Sequence, residues 1–432
     1  MATVSAKVYD HHKKADGTYN VKICVYHKNE RKFFDTSHYV SKKQLDSKLR
    51  IKDKFILDLL DEPLRSYRAT ISQLGNKLEL FSAEELRNFL RDKDSDIDFL
   101  KFCNNHIERL MQVGRTGTAR NHNAIVNSLS DYFGRKAVSI DEINSSMLLD
   151  YKRYLKTERT MVRVNQLGKA VKTTENGLSE SGLYNHMRDL RTLFNAARNW
   201  FNNEDLGIIR IKHYPFKKYK IGSAPLTKKR NITVNDLIKI RDCQVAEGGR
   251  AELARDLFLL SFYLCGINAV DIYNLPTFDI ASKRLDYNRA KTSGVRKDDA
   301  FISIKVVKEA IPHLVKYAGK LNSRYSTYNG LDSALSKGMH ELRKITEIDS
   351  ITFYWARHTF ANLARNKCRL SKDDVALALN HVDEGHRTTD IYIEKDWDIV
   401  DDVQAKVIAL IKKEARATTN NSPRFVPLMR IV

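Results

Sequence analysis

The chain has 432 residues, 74 Lys+Arg against 53 Asp+Glu, and a formal net charge of +21. At about 100–200 residues per domain, that length implies more than one core, and 42% hydrophobic residues with 18 Phe and 19 Tyr exclude wholesale disorder. No run approaches the ~18 apolar residues of a membrane span, and five scattered cysteines without a CxxC argue against a zinc ribbon or a disulfide framework. With an N-terminus, MATVSAKVYDHH, that lacks a signal-peptide pattern, the expectation is a cytoplasmic protein with no membrane partner. The positive surplus predicts a polyanionic partner, most often nucleic acid.

The first fifty residues predict strands at about Val4 to Tyr9, Tyr19 to His27 and Arg31 to Tyr39, punctuated by turns at Asp16-Gly17 and Lys28-Asn29. A helix is expected next, from about Lys52 to Leu90. Residues 95–207 read as helical, with Ser95 as an N-cap before Phe99, Phe102, Cys103, Ile107 and Leu110 at helical spacing. Further helices are expected at about Thr118 to Phe133 and Ser145 to Leu155. A polar stretch, 158–178, precedes a fourth helix carrying Leu183, Met187, Leu190, Phe194 and Ala197 on one face. Arg115, Arg120, Lys152, Arg153, Lys156, Arg188 and Arg191 give this segment a basic side, which suits either a solvated surface or a DNA-binding face.

Residues 208–230, IIRIKHYPFKKYKIGSAPLTKKR, read as a basic interdomain linker. Arg210, Lys212, Lys217, Lys218, Lys220, Lys228, Lys229 and Arg230 occur there with no acid, and Pro215, Gly222 and Pro225 break regular structure. Such a linker can track a phosphate backbone. Residues 91–230 together hold eleven of the twenty-one surplus charges. From Asn231 the pattern changes to an apolar helix over Ala251 to Cys265, short strands at about Arg284 to Asn288 and Ala300 to Ile304, and helices from Val306 to a last one over Ile399 to Ala415. Residues 416–432 read as a tail. The stripe Val400, Val403, Val407, Ile408 and Ile411 on the last helix suits docking either onto its own domain or onto a neighbouring protomer.

Three segments in the last third suggest chemistry: RAKT (289–292), TFYWARHTFANLARN (352–366) and ALNHVDEGHRTTDIYIEKDW (378–397). A phosphodiester under attack develops charge on its non-bridging oxygens, which Arg and Lys can neutralise, and on its leaving oxygen, which Lys or His can protonate. A tyrosine can attack once neighbouring cations favour its phenolate. Arg357 inside an apolar helical pattern demands an anion, supplied either by an internal carboxylate or by a bound phosphate. His381 and His386 as zinc ligands would need two more that the sequence does not offer. The paired carboxylates of a two-metal nuclease and the GxxxxGK[ST] of a P-loop are also missing.

The strings YWARHTF, ALNH and TTDIY resemble the C-terminal boxes of tyrosine recombinases, the phage-integrase family. CGINAVDIYNL (265–275) is similar to that family's first box. The resemblance implies a mainly α fold with small β elements in three parts: a small N-terminal β-sheet, arm-type DNA-binding domain with a connecting helix (1–90), a helical core-binding domain (95–207), and an α-rich catalytic domain with a β-hairpin (231–415). It implies Tyr392 as the nucleophile that forms a 3′-phosphotyrosyl link, Arg357 as a grip on the scissile phosphate, and Lys291 as the general acid. His381 would be a further phosphate donor, with His386 a second candidate, and Asp271 a structural support.

Two positions depart from the pattern. Asn268 stands where the first-box arginine is expected, and Tyr354 replaces the second-box histidine; Arg255, earlier on the same helix, is a candidate to supply the missing cation. The absent arginine resembles a branch of mobile-element integrases. The expected function is a site-specific DNA recombinase or integrase that needs no cofactor or metal. It would act on attachment sites in double-stranded DNA as a DNA-associated homotetramer, with a host DNA-bending protein as a further partner. The rivals are a catalytically impaired DNA-binding regulator of the same fold and, less favoured given the arm-like N-terminus, a type IB topoisomerase.

Overall fold

The computed structural model describes residues 2–93, 95–164, 167–226, 230–294, 296–381 and 394–420, with side chains as far as 417. Tyr392, His386, Lys228 and Lys229 lie outside the described residues. The protein is mainly α-helical with three small antiparallel sheets among the described residues, and it divides into two compact units, residues 1–226 and 227–432. No helix among the described residues is long and apolar enough to cross a membrane.

The first unit opens with a meander of β1 (Thr3–Lys7), β2 (Tyr19–His27) and β3 (Glu30–Val40), with β2 in the centre. Lys28 and Asn29 both take positive φ, 46° and 62°, so a two-residue turn of the kind that matches strand twist closes β2 onto β3. One sheet face packs on α1 (Lys54–Leu74) and α2 (Ala83–Asp92), where Ile23, Val25 and Phe34 meet Phe81, Leu86 and Leu90. The single helix expected over 52–90 is thus two. Gly75, at φ +50°, takes the chain out of α1, and a reciprocal cap between Ser82 and Glu85 starts α2.

A helical bundle follows, built from α3 (Phe99–Gln112), α4 (Thr116–Phe133), α5 (Ser145–Lys156) and α6 (Glu180–Phe201) around Phe99, Leu129, Leu148, Tyr151, Leu190 and Phe194. Asp98, not Ser95, caps α3 by accepting from the Lys101 N–H at 3.1 Å. The polar stretch 158–178 contains a hairpin, β4 (Arg159–Val164) paired with β5 (Ala170–Glu175). The linker expected over 208–230 also needs correction. Ile211, Phe216 and Tyr219 are buried in the bundle core around α7 (Pro215–Lys218), with Phe216 against Phe194, so apolar anchors fix this stretch through about residue 221. Lys212, Lys217, Lys218 and Lys220 stay exposed between those anchors.

The second unit is a single core threaded by α8 (Val234–Asp242), α9 (Arg250–Tyr263), α10 (Ala269–Tyr273), the hairpin of β6 (Arg284–Asn288) and β7 (Phe301–Lys305), then α11 (Ile311–Tyr317), α12 (Leu321–Arg324), α13 (Tyr328–Thr346), α14 (Trp355–Asn362), α15 (Lys372–Ala378) and α16 (Trp397–Asn420). From Leu257 to Tyr263 every residue of α9 is buried, and all but Ser261 are apolar. Gly338 lets α13 approach it closely, since a Cβ there would sit 2.1 Å from the Arg250 carbonyl oxygen. The stripe Val400, Val403, Val407, Ile408 and Ile411 of α16 is buried in this same core, which settles its partner as its own unit. Gln404 inside the stripe donates to the Tyr263 and Lys305 carbonyls, and Asp401 pairs with Arg284, so polar bonds lock the helix onto α9 and the hairpin.

Candidate active site

Arg357 is the centre of the site. The apolar residues Ala356 and Phe360 drive α14 into the core, and Arg357 goes in beside them, only 5% exposed. Its Nη1 donates to the Gly266 carbonyl at 2.8 Å, and its Nη2 donates to the Leu379 carbonyl and, at 3.0 Å, to Nε2 of His381. Gly266 takes φ +78°, and a Cβ there would lie 2.7 Å from the Arg357 Cγ, so only glycine lets segment 265–275 touch this side chain. Among the described residues no carboxylate is in ion-pair contact with the guanidinium; carbonyl oxygens and one imidazole hold it. Burial, then the neighbouring Arg289, push its pKa down, against the opposing pull of Tyr354, Tyr287 and Asp271. An uncompensated cation held this deeply is costly to the fold and prepared for an anion.

His381 follows α15 through the turn at Asn380, whose φ is +51°. Burial of the ring lowers its pKa to about 4, helped by Arg357, Arg289 and Lys291 in that order. The ring is therefore neutral near pH 7. With Nε2 accepting from Arg357, the network assigns the proton to Nδ1. Lys291 is exposed on the turn that follows β6, close enough to affect the imidazole.

Segment 265–275 is tied to that turn. Asn268 stands at the N-terminal boundary of α10 and donates through Nδ2 to Oδ2 of Asp271 at 3.2 Å, while Oδ1 of the buried Asp271 accepts from the Ala290 N–H at 2.8 Å. Arg357, His381, Lys291, Asn268 and Asp271 thus come together in one region.

Sequence reasoning missed Arg289 and Arg296. Arg289 is 8% exposed and donates through Nη1 to the Asn380 carbonyl at 3.4 Å. Arg296 donates to the same carbonyl and to the Asn380 side chain, and pairs with Asp298. Asn380 in turn donates to the Ala300 carbonyl at 2.8 Å, fixing the turn that carries His381 to the start of β7. The signal for Arg289 was present in RAKT, an arginine at the very end of a strand, but hairpin cations are ordinarily solvated.

Tyr354 precedes α14, 43% exposed, with its ring edge-on to His358 at 5.0 Å. Arg255 is not brought to Arg357's partners. Its Nε and Nη2 bond to Asp256 at 3.0 and 2.9 Å, and its Nη1 donates to the Cys243 carbonyl. Asp256 itself is buried and also holds Lys316 and Tyr317, so Arg255 belongs to a separate structural ion cluster. Arg115, Arg120, Arg188 and Arg191 are exposed on the helical bundle, with Arg188 paired to the adjacent Asp189; Arg230 is exposed in the second unit. Among the described residues no three His, Cys, Asp or Glu side chains converge on a metal position.

Residues 98–221 match the family model of the phage integrase SAM-like domain. No curated protein matches the chain. Among solved structures it is similar to the XerH site-specific recombinase bound to palindromic difH substrate in a post-cleavage complex, with 14% sequence identity, a TM-score of 0.42, and coverage of 78% of this chain and 88% of that one.

Proposed function

We propose that the protein is a tyrosine-type site-specific DNA recombinase, the integrase of a phage or other mobile element. The observation that carries this reading is Arg357, a buried guanidinium with no carboxylate partner among the described residues and with His381 and Lys291 beside it. The matched SAM-like segment, on the same chain, supports a DNA substrate.

In the proposed reaction the Tyr392 phenolate attacks the scissile phosphorus. The P–O bond to the 5′ oxygen breaks, leaving a 3′-phosphotyrosyl link, and Lys291 donates a proton to the departing 5′ oxygen. Arg357 and the Nδ1–H of His381 neutralise the non-bridging oxygens as charge builds on them. Return attack by a 5′-hydroxyl of a partner strand reverses each step, with Lys291 taking the proton back. Because the tyrosyl ester conserves the phosphodiester's energy, the chemistry asks for no nucleotide or other cofactor. In the division of labour that goes with this reading, 1–90 binds arm sites and the bundle with Lys212, Lys217, Lys218 and Lys220 grips the core site. The second unit cleaves, and four protomers join two duplexes.

Nicked duplexes randomised around the nick test this, with covalent protein–DNA adducts read on a denaturing gel. Adducts are expected in the presence of a chelator and without nucleotide. DNA binding without any adduct would overturn the recombinase and leave the DNA-binding regulator, the reading that the neutral Asn268 favours.

A further inference from the structure

Lys291, the general acid of the proposed reaction, is exposed, and among the described residues no hydrogen bond or ion pair of its own side chain holds it in place. Its position is set by the backbone that links β6 to β7. That backbone is stapled from its far side by Arg296, whose side chain is only 14% exposed. Nη1 of Arg296 donates to the Asn380 carbonyl at 3.3 Å and to Oδ1 of the Asn380 side chain at 2.8 Å, binding the turn to the end of α15. Its Nε donates to Oδ1 of Asp298 at 2.8 Å, and its Nη2 donates to Oδ2. Oδ2 of Asp298 also pairs with Lys395, just ahead of α16, while Oδ1 accepts from the Ala300 N–H at 3.1 Å. One guanidinium thus ties the turn both to α15 and to the approach to α16. The Arg296 N–H donates to the Thr292 carbonyl at 3.1 Å, and the Thr292 N–H to the Arg289 carbonyl at 3.0 Å, so backbone bonds run from the staple back to the residues around Lys291. The planar fork of an arginine can make these side-chain bonds together; the point charge of a lysine cannot.

We propose that Arg296 is the positioning residue of the general acid: by bonding Asn380 and Asp298 it fixes the turn that holds Lys291 within reach of the departing 5′ oxygen. The inference rests on the recombinase reading and deepens it. Proton transfer needs hydrogen-bond reach, and a displacement of about 1 Å can cost about 100-fold in rate. Arg296, and after it Lys395, hold the Asp298 carboxyl well below the usual carboxylate range against the opposing effect of burial, so the staple stays charged near neutral pH. The turn that carries His381 has other anchors. The Asn380 amide donates to the Ala300 carbonyl at 2.8 Å, and Arg289 donates to the Asn380 carbonyl. Loss of Arg296 therefore falls first on the Lys291 side of the site.

The test uses the full-length protein on a duplex captured from the randomised nicked pool, made with either the natural oxygen or a bridging sulfur at the 5′ position of the cleaved bond. A thiol's pKa is about 8.5, so sulfur departs as a thiolate and needs no proton from Lys291. With oxygen, Arg296→Ala is expected to slow adduct formation about 100-fold at saturating DNA, with DNA affinity unchanged. With sulfur, Arg296→Ala and Lys291→Ala are each expected to fall within about threefold of the wild-type rate on that same substrate. A wild-type rate for Arg296→Ala with oxygen would overturn the inference while leaving the recombinase standing. Equal deficits with both leaving atoms would also overturn it, making Arg296 a prop for the 379–381 turn. So would a Lys291→Ala deficit that sulfur fails to relieve. If Arg296→Ala does not fold, Asp298→Asn, which keeps the side chain's shape and removes the charge that holds Arg296, is read on the same two substrates by the same criteria. If wild type captures no DNA at all, the recombinase reading fails, and hydrogen exchange in the full chain decides whether Arg296 fixes the turn. Exchange about tenfold faster at the Thr292 and Ser293 amides in Arg296→Ala upholds the staple, and unchanged exchange rejects it.

Discussion

At the scale of single residues the site is a problem of unmatched charge. Among the described residues Arg357 meets carbonyl oxygens and an imidazole, so its removal takes away transition-state stabilisation without breaking an ion pair with any of them. Arg357→Ala is therefore expected to cut adduct formation about 100- to 1,000-fold while DNA binding survives in a gel-shift assay. Undiminished cleavage would remove Arg357 from the chemistry. His381 gives a pH signature. Its pKa is lowered from 6.5 in the unfolded chain to about 4 in the fold, so between those values the unfolded chain binds the extra proton. The neutral ring's contribution to stability is present above pH 6.5 and is lost as pH falls toward 4. The second unit's melting temperature should therefore fall less steeply over that interval in His381→Gln than in wild type, and identical slopes would contradict the assignment. Arg357, Lys291 and His381 were legible because each stands in a short string with its own context. Arg289 was not, since nothing in RAKT distinguishes a buried arginine from a solvated one. Arg255 misled for the converse reason: helical spacing placed it near segment 265–275, but burial of the adjacent Asp256, which claims it, is a tertiary fact.

At the scale of elements, the loop and turn segments decide where these side chains stand. Gly266 meets Arg357 so closely that a methyl group would displace it, and its φ of +78° disfavours any other residue. Gly266→Ala is expected to cost about 1–3 kcal/mol of stability. At temperatures where the variant remains folded it should also slow adduct formation at least as severely as it unsettles Arg357. A variant with wild-type melting and wild-type cleavage would show the contact to be dispensable. The core helices and the first meander were readable from periodicity and turn residues, to within a few residues at their ends. The hairpin over 159–175 was not, because its apolar residues, Val162, Val164 and Val171, are exposed and alternate with polar ones in a stretch that looks like a loop. The segment 208–221 was misread because its lysines dominate its composition, whereas Ile211, Phe216 and Tyr219 decide its structure.

At the scale of the whole molecule, the surplus of +21 is distributed in a way that separates binding from chemistry. The bundle and the stretch after it carry most of the surplus, while the second unit keeps Arg357 and Arg289 buried. DNA affinity is accordingly expected to fall steeply with salt. Changing Lys212, Lys217, Lys218 and Lys220 together to Gln should flatten the slope of log K against log salt by about 3 to 4, one phosphate contact per lysine. An unchanged slope would place the DNA elsewhere on the protein. The same variant should retain the intrinsic rate of adduct formation once DNA is saturating, because none of these lysines belongs to the catalytic cluster. Whether the chain breaks DNA by joining it to a tyrosine is decided by digesting the captured adduct with trypsin and identifying the DNA-linked peptide by mass spectrometry. Nucleotide mass is expected on peptide 388–395, at Tyr392, with no adduct from Tyr392→Phe. Linkage at any other residue, or an adduct that persists in Tyr392→Phe, would contradict it.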